Sequence, residues 1–225
     1  DLVLRDGQFY LYASIVLPDG APIEPTAFLG VDMGIVSLAT DSDGTTYSGA
    51  AVEHVRRKHV KQRRALQRRH TRGTKKKLTR IAKKESRFRR HENHRISKQI
   101  VLAAKDTARG IALEDLTGIR TRTTVRRKHR NRQGGWAFAQ LRAFVTYKAQ
   151  LAGVRVVAVD PRNTSRTCSQ CGHCEKANRK TQADFSCLHC DYSTSADLNA
   201  AKNIASLAQA ALVNQPQNCQ LERAS

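Results

Sequence analysis

What the sequence lacks sets the first limits. No hydrophobic run among its 225 residues is long enough to cross a membrane as a helix, which excludes an integral helical membrane protein. No signal peptide is recognisable, so the expected address is the cytoplasm. Acidic residues are scarce, with 19 Asp plus Glu against 40 Lys plus Arg and a net charge of +21. The shortage is uneven. Residues 56–98 hold 20 Lys or Arg and only Glu85 and Glu92, and residues 120–132 hold seven basic residues and no acid. Outside these two segments the balance is 13 basic to 17 acidic, so the excess is local, and a local excess of this size fits a polyanion such as nucleic acid. A merely solvated charge run is the plain alternative. Against it, Leu78, Ile81, Phe88, Ile96, Ile100 and Ala103 recur at roughly helical spacing inside the basic segment, a stripe that can pack while the remaining faces stay charged. The "HTRGTK" break at Gly73 predicts a helical hairpin.

Length suits one medium domain with a small appendage. Residues 9–17, "FYLYASIVL", predict a strand, and "PDGAPIEPT" a linker. "FLGVDMG", "IVSLAT" and "TTYSG", with "DSDG" as a turn, predict a three-strand meander. "GIALEDL" predicts a buried strand. A helix follows from about Trp136 to Ala152, with Gly153 placed as its C-cap, then a strand at "VRVVAV". A last helix is predicted from Ala196 to about Val213, its apolar face carried by Ala200, Ile204, Leu207, Ala208 and Ala211, ahead of a disordered tail at 214–225. This order is that expected of an α/β fold, an RNase H-like mixed sheet flanked by helices.

Six cysteines raise the question of disulfides, but Cys168, Cys171, Cys187 and Cys190 form a C-x2-C, x15, C-x2-C pattern that favours a closed, structural zinc site. Cys174 also makes a C-x2-C pair with Cys171, so the register stays open, and His173 and His189 are further possible ligands. Cys219 has no assignable role.

Three acids sit where acids are awkward. Asp32 closes an apolar strand, as does Glu114, whose neighbour Asp115 must point to the opposite face. Asp197 opens the last helix, where the helix dipole alone would favour an acid, yet it shares a side with the apolar residues 200, 201, 204 and 208. Gathered within about 5 Å, such carboxylates would repel by roughly 3 kcal/mol per pair at an effective dielectric near 20, and divalent cations are the natural relief. Hard oxygen ligands suit magnesium or manganese, and two such ions can run an in-line phosphodiester displacement.

"FLGVDMGIVSLATDSDG", "GIALEDLTGIR", "YKAQLAGVRVVAVDPRNTSRTCSQCG", "FSCLHC" and "ADLNAAKNIA" together resemble the TnpB (OrfB) family of insertion-sequence proteins, relatives of the type V CRISPR effector nucleases. The resemblance runs from about residue 28 to 207. It implies a RuvC-type RNA-guided DNA endonuclease whose catalytic acids are Asp32, Glu114 and Asp197, holding two Mg2+ or Mn2+ ions, with zinc on Cys168, Cys171, Cys187 and Cys190. It also implies a guide RNA and a DNA target as partners, engaged by the basic helices, and a nucleoid-associated place in a prokaryotic cell. On this reading residues 1–27 are the remnant of a β-rich, wedge-like domain. Residues 28–163 are the nuclease core, with a basic helical insert at 53–109. Residues 164–192 are a zinc ribbon and 193–213 the final core helix. Family members tend to carry an arginine two residues before "F-x-C", where this chain has Ala183. A truncated, non-catalytic nucleic-acid binder of the same family is the alternative reading.

Overall fold

The computed structural model of the chain describes residues 1–5, 7–18, 20–34, 36–115 and 138–213. The strand expected over 9–17 is instead a hairpin of β1 (Leu2–Arg5) and β2 (Gln8–Leu11), paired antiparallel from Leu2–Leu11 to Arg5–Gln8. Gly7, at φ 77°, supplies the backbone turn that a side chain would strain, and the ladder ends at Leu11. Its apolar side chains lie outside the core, with Phe9 71% and Leu11 81% exposed.

The core is a five-stranded sheet. Its members are β3 (Phe28–Asp32), β4 (Ser37–Asp41), β5 (Thr46–Ser48), β6 (Gly110–Glu114) and β7 (Val156–Val159), in the order β5-β4-β3-β6-β7. The meander β3-β4-β5 is antiparallel, as its short turns require, while β6 and β7 run parallel to β3. Strands β3 and β6 lie at the centre, covered on both faces, and read as continuous apolar runs up to their terminal acids.

Helix α1 (Ala50–Gln67) and helix α2 (Arg72–Asp106) form the expected hairpin, but the break comes earlier than Gly73. The chain turns through His70, at φ 45°, and Thr71 caps α2 by accepting a hydrogen bond from the Thr74 amide at 3.2 Å. Gly73 falls in the first turn, where no intrahelical donor is lost, so the threonine cap decides the boundary. Helix α1 has no buried residue, and the Glu85 carboxylate ties it to α2 through Arg63 at 2.6 Å. The second half of α2 buries Ile96, Ile100, Val101 and Ala104.

Helix α3 (Phe138–Leu151) packs beside α2 on one face of the sheet, over Leu29, Val31, Ile111 and Leu113. It ends at Gly153, at φ 72°, as expected. A Cβ there would lie 1.9 Å from the Ala21 carbonyl oxygen, because the 18–26 linker docks against this end through the Ile23 amide on the Gly153 oxygen. Trp136 and Ala137, the basic segment 120–132 and the tail 214–225 lie outside the described residues.

Helix α4 (Ala196–Val213) covers the other face, with Ile204 and Ala208 against Phe28, Ala112 and Val159. It lies unusually close to β3. A Cβ on Gly30 would come 2.0 Å from the Ala201 carbonyl oxygen and 2.5 Å from the Ala205 nitrogen, so glycine in the strand and alanine in the helix are both demanded by the approach. Leu207 and Ala211, expected on the apolar face, are exposed; Asn199 and Asn203 are buried there instead, with Ala196, Ala200, Ala201, Ile204 and Ala208. Among the described residues no helix is long and apolar enough to cross a membrane.

Candidate metal-binding active site

Side chains alternate along a strand, so Phe28, Gly30 and Asp32 of β3, with Ala112 and Glu114 of β6, all fall on the α4 side. Val31 pairs with Leu113 in a parallel ladder, which leaves Asp32 and Glu114 side by side at the carboxyl ends of the two central strands. Asp115 takes the other face, where Arg142 of α3 donates to its Oδ1 at 2.8 Å. The fold therefore separates the adjacent acids as the pleat requires, Glu114 toward α4 and Asp115 into an ion pair. Asp197 enters from the first turn of α4, the helix seated on Gly30.

The electrostatics show which acids meet. Burial pushes the Asp32 carboxyl up to about 7, and the negative charges of Glu114 and Asp197 push in the same direction. Glu114 is also held above the ordinary carboxylate range by burial, against the opposing pull of the Thr164 hydroxyl and the Arg179 guanidinium. Thr164 Oγ1 donates to Glu114 Oε1 at 2.5 Å. The three acids thus share one field. Among the described residues only the four cysteines place their ligand atoms all within 4.8 Å of one another.

Arg179 was not legible in the sequence. It comes from the cysteine-bearing segment, its side chain donates to the carbonyls of Thr181 and Gln182, and its charge favours ionisation of Asp32 and Glu114. A positive group thus reaches the acids although position 183 is alanine. Only the path of the chain around the cysteines shows this.

The cysteine unit is built on two turns and a small sheet, β8 (Asp184–Ser186) with β9 (Ser193–Ser195), so its pairing extends past the predicted boundary at 192. Cys168, Cys171, Cys187 and Cys190 converge, with Sγ separations of 3.7 Å for Cys168–Cys190 and 3.6 Å for Cys171–Cys187. Four thiolates about 2.3 Å from a common tetrahedral centre would stand about 3.8 Å apart, so the donor set fits one metal ion such as zinc. Cys174, His173 and His189 lie outside this set. Buried Asn178 braces both turns. Its amide donates to the Arg166 and His173 carbonyls at 3.1 Å, and its Oδ1 accepts from the Leu188 amide at 3.0 Å. The unit packs Phe185 and Ala196, the first residue of α4, against Cys168 and Cys187.

Comparison with known proteins places these features in context. Residues 15–117 match a family model described as a probable transposase of the OrfB IS605 type, and residues 138–204 match the Cas12f1-like TNB domain. The chain is 33% identical over 219 residues to a CRISPR-associated endodeoxyribonuclease Cas12f1 from Sulfoacidibacillus thermotolerans, covering 89% of this chain and 50% of that protein. It is 27% identical over 226 residues to a putative RNA-guided DNA endonuclease, InsQ, from Escherichia coli K12, covering 92% of this chain and 55% of that protein. Its fold is similar to that of Cas12f1 in a solved complex with sgRNA and target DNA, at TM-score 0.65 and 24% identity, covering 91% of this chain and 55% of that one. The chain spans about half the length of the curated relatives it matches.

Proposed function

This chain belongs to the TnpB (OrfB) family of insertion-sequence proteins, related to the type V CRISPR effectors, and on that premise we propose that it carries the nuclease centre of an RNA-guided DNA endonuclease. Its strand order, with an antiparallel meander joined to two parallel strands, supports an RNase H-like fold of the RuvC type. The observation that carries the reading is the half-buried Asp32 at the end of β3, whose carboxyl is raised to about 7 by desolvation and by the charges of Glu114 and Asp197. Buried acids that repel one another mark a functional centre more often than a structural one.

Asp32, Glu114 and Asp197 would hold divalent cations, and their hard oxygens suit Mg2+ or Mn2+. When bound, a pair of such ions would activate water and stabilise both the attacking and the leaving oxygen of a phosphodiester. What the chain itself supplies is position. Parallel strands fix Asp32 and Glu114 side by side, α4 brings Asp197 to them, and Arg179 adds a positive charge that favours the ionised acids. The four-cysteine unit would hold zinc as a structural ion just ahead of Asp197, fixing how the chain enters α4. Helices α1 and α2 present the basic faces to which a guide RNA and its DNA target would bind.

The test is cleavage. The protein is copurified with cellular RNA, supplied with Mg2+ and DNA, and compared with Asp32→Ala. Loss of cutting in the variant, with RNA binding retained, supports the reading. Equal behaviour of the two proteins removes it and leaves the chain a nucleic-acid binder without catalysis.

A further inference from the structure

We propose that Thr164 is the positioning residue for Glu114, and that Asn199 and Asn203 of α4 hold Thr164 in place for that task. The inference rests on the reading of Asp32, Glu114 and Asp197 as ligands of divalent cations. It assigns a duty to residues that neither the charge pattern nor the cysteine spacing explains.

The geometry begins at the hydroxyl. Thr164 is buried at 4% exposure, and its Oγ1 lies 2.5 Å from Glu114 Oε1 and 3.1 Å from the Pro161 carbonyl oxygen. A threonine hydroxyl has one proton to donate, and the shorter contact is to the charged acceptor, as expected for a charge-assisted bond. It is the hydrogen bond that Glu114 receives among the described residues. Oε1 is therefore aimed by the protein, and Oε2 is left for another partner. A glutamate has several rotatable bonds, and a ligand oxygen that must be found anew at each binding event costs affinity; a fixed one does not.

The loop that carries Thr164 is itself clamped from α4. Asn203 Nδ2 donates to the Thr164 carbonyl and to the Thr167 carbonyl, each at 2.7 Å. Asn199, one turn earlier on the same face, donates to the Thr167 carbonyl at 2.8 Å and accepts from the Ser169 amide at 3.0 Å. Both asparagines are buried in an otherwise alanine-rich face, where an amide without partners would be costly. Their partners flank Cys168 on either side. The helix that delivers Asp197 thus also fixes the loop that aims Glu114, so two acids remote in sequence are set from one element. Asn163, at φ 62°, starts the turn and accepts from the Thr167 hydroxyl and amide, a conformation that asparagine tolerates better than most residues.

A threonine that merely closed its own turn onto Pro161 would leave cation binding untouched, and this separates the two roles. Wild type, Thr164→Val, Thr164→Ser and Asp32→Ala, each with its zinc content and melting temperature checked, are titrated with Mn2+, following free Mn2+ by its paramagnetic resonance signal, and then assayed for cleavage over a Mg2+ series. Thr164→Val is expected to weaken Mn2+ binding about 10- to 100-fold and to shift the Mg2+ requirement of cleavage upward, while Thr164→Ser stays near wild type. Should Thr164→Val lose its zinc or unfold, Thr164→Ala against Thr164→Ser makes the same comparison, since both lack the methyl group and only serine keeps the donor. Wild-type Mn2+ affinity in the folded variant lacking the hydroxyl overturns the positioning role. If Asp32→Ala also binds Mn2+ as wild type does, the reading beneath it falls as well; if Asp32→Ala alone loses affinity, only the role of Thr164 falls.

Discussion

The cysteine unit and the carboxylate centre adjoin each other at the start of α4, yet they are built on opposite plans. The cysteines come from one short span, residues 168–190, and their sulfurs close on a single point within 4.8 Å. The acids come from positions 32, 114 and 197, on two strands and a helix, and share one field. A closed thiolate cage suits an ion that stays and stiffens the chain; an open set of acids suits ions that must also meet a substrate. The local site depends on short turns, while the dispersed site depends on the whole sheet and the helix seated on it.

The sharpest way to break this comparison is at the cage. Cys187→Ser should abolish zinc stoichiometry, and with it up to about 10 kcal/mol of metal-linked folding energy for the small unit. Local melting of residues 164–195, read by amide exchange, should follow, with the five-stranded sheet still protected. If the sheet loses protection with the unit, the two regions are one cooperative body and the contrast fails.

The next effect is smaller and has a sign. Asp32 is raised to about 7 from an unfolded value near 3.8, so between those values the folded protein keeps a proton that the unfolded chain has lost. Its contribution to stability is full below about pH 4 and is lost as pH rises through about 7, on the order of a few kcal/mol. Glu114, shifted the same way by burial, adds to the trend. In Mg2+-free buffer with zinc retained, the melting temperature should fall across this window, and Asp32→Asn should flatten the fall and leave the protein more stable above pH 7. An unchanged slope would mean that burial does not raise the Asp32 carboxyl.

The smallest effect concerns the acid that was passed over. Arg142→Ala breaks the partly exposed pair with Asp115 and should cost no more than about 1 kcal/mol, with cleavage intact. A large loss of cutting from that change would move the proposed catalytic role from Glu114 to its neighbour.

Much of the core was legible because strands covered on both faces read as short apolar runs and helices keep their spacing when one face is buried. The meander, the strands at Gly110 and Val156, and the span of α4 follow directly from such patterns. Asp32 and Glu114 stand out for the same reason, each an acid ending an apolar run. The hairpin break was misplaced at Gly73 because glycine is a weaker boundary signal than a threonine whose side chain reaches the Thr74 amide. Residues 9–17 look like one strand by hydrophobicity, but the turn at Gly7 pairs Gln8–Leu11 with a segment before it. Asn199 and Asn203 read as neutral helix residues until their carbonyl partners, more than thirty positions away, are known. Arg179 stayed hidden for a related reason, since its charge acts across a fold that spacing alone does not describe.

At Gly30 strand and helix meet main chain to main chain, with no side chain between them to flex or to be exchanged. The offset between Asp32 and Asp197 is therefore gauged by the thickness of the peptide itself, the one dimension of a protein that substitution cannot trim. Substitutions in the outer helices leave this spacing untouched, because the ruler that spaces these two acids carries no side-chain markings to erode.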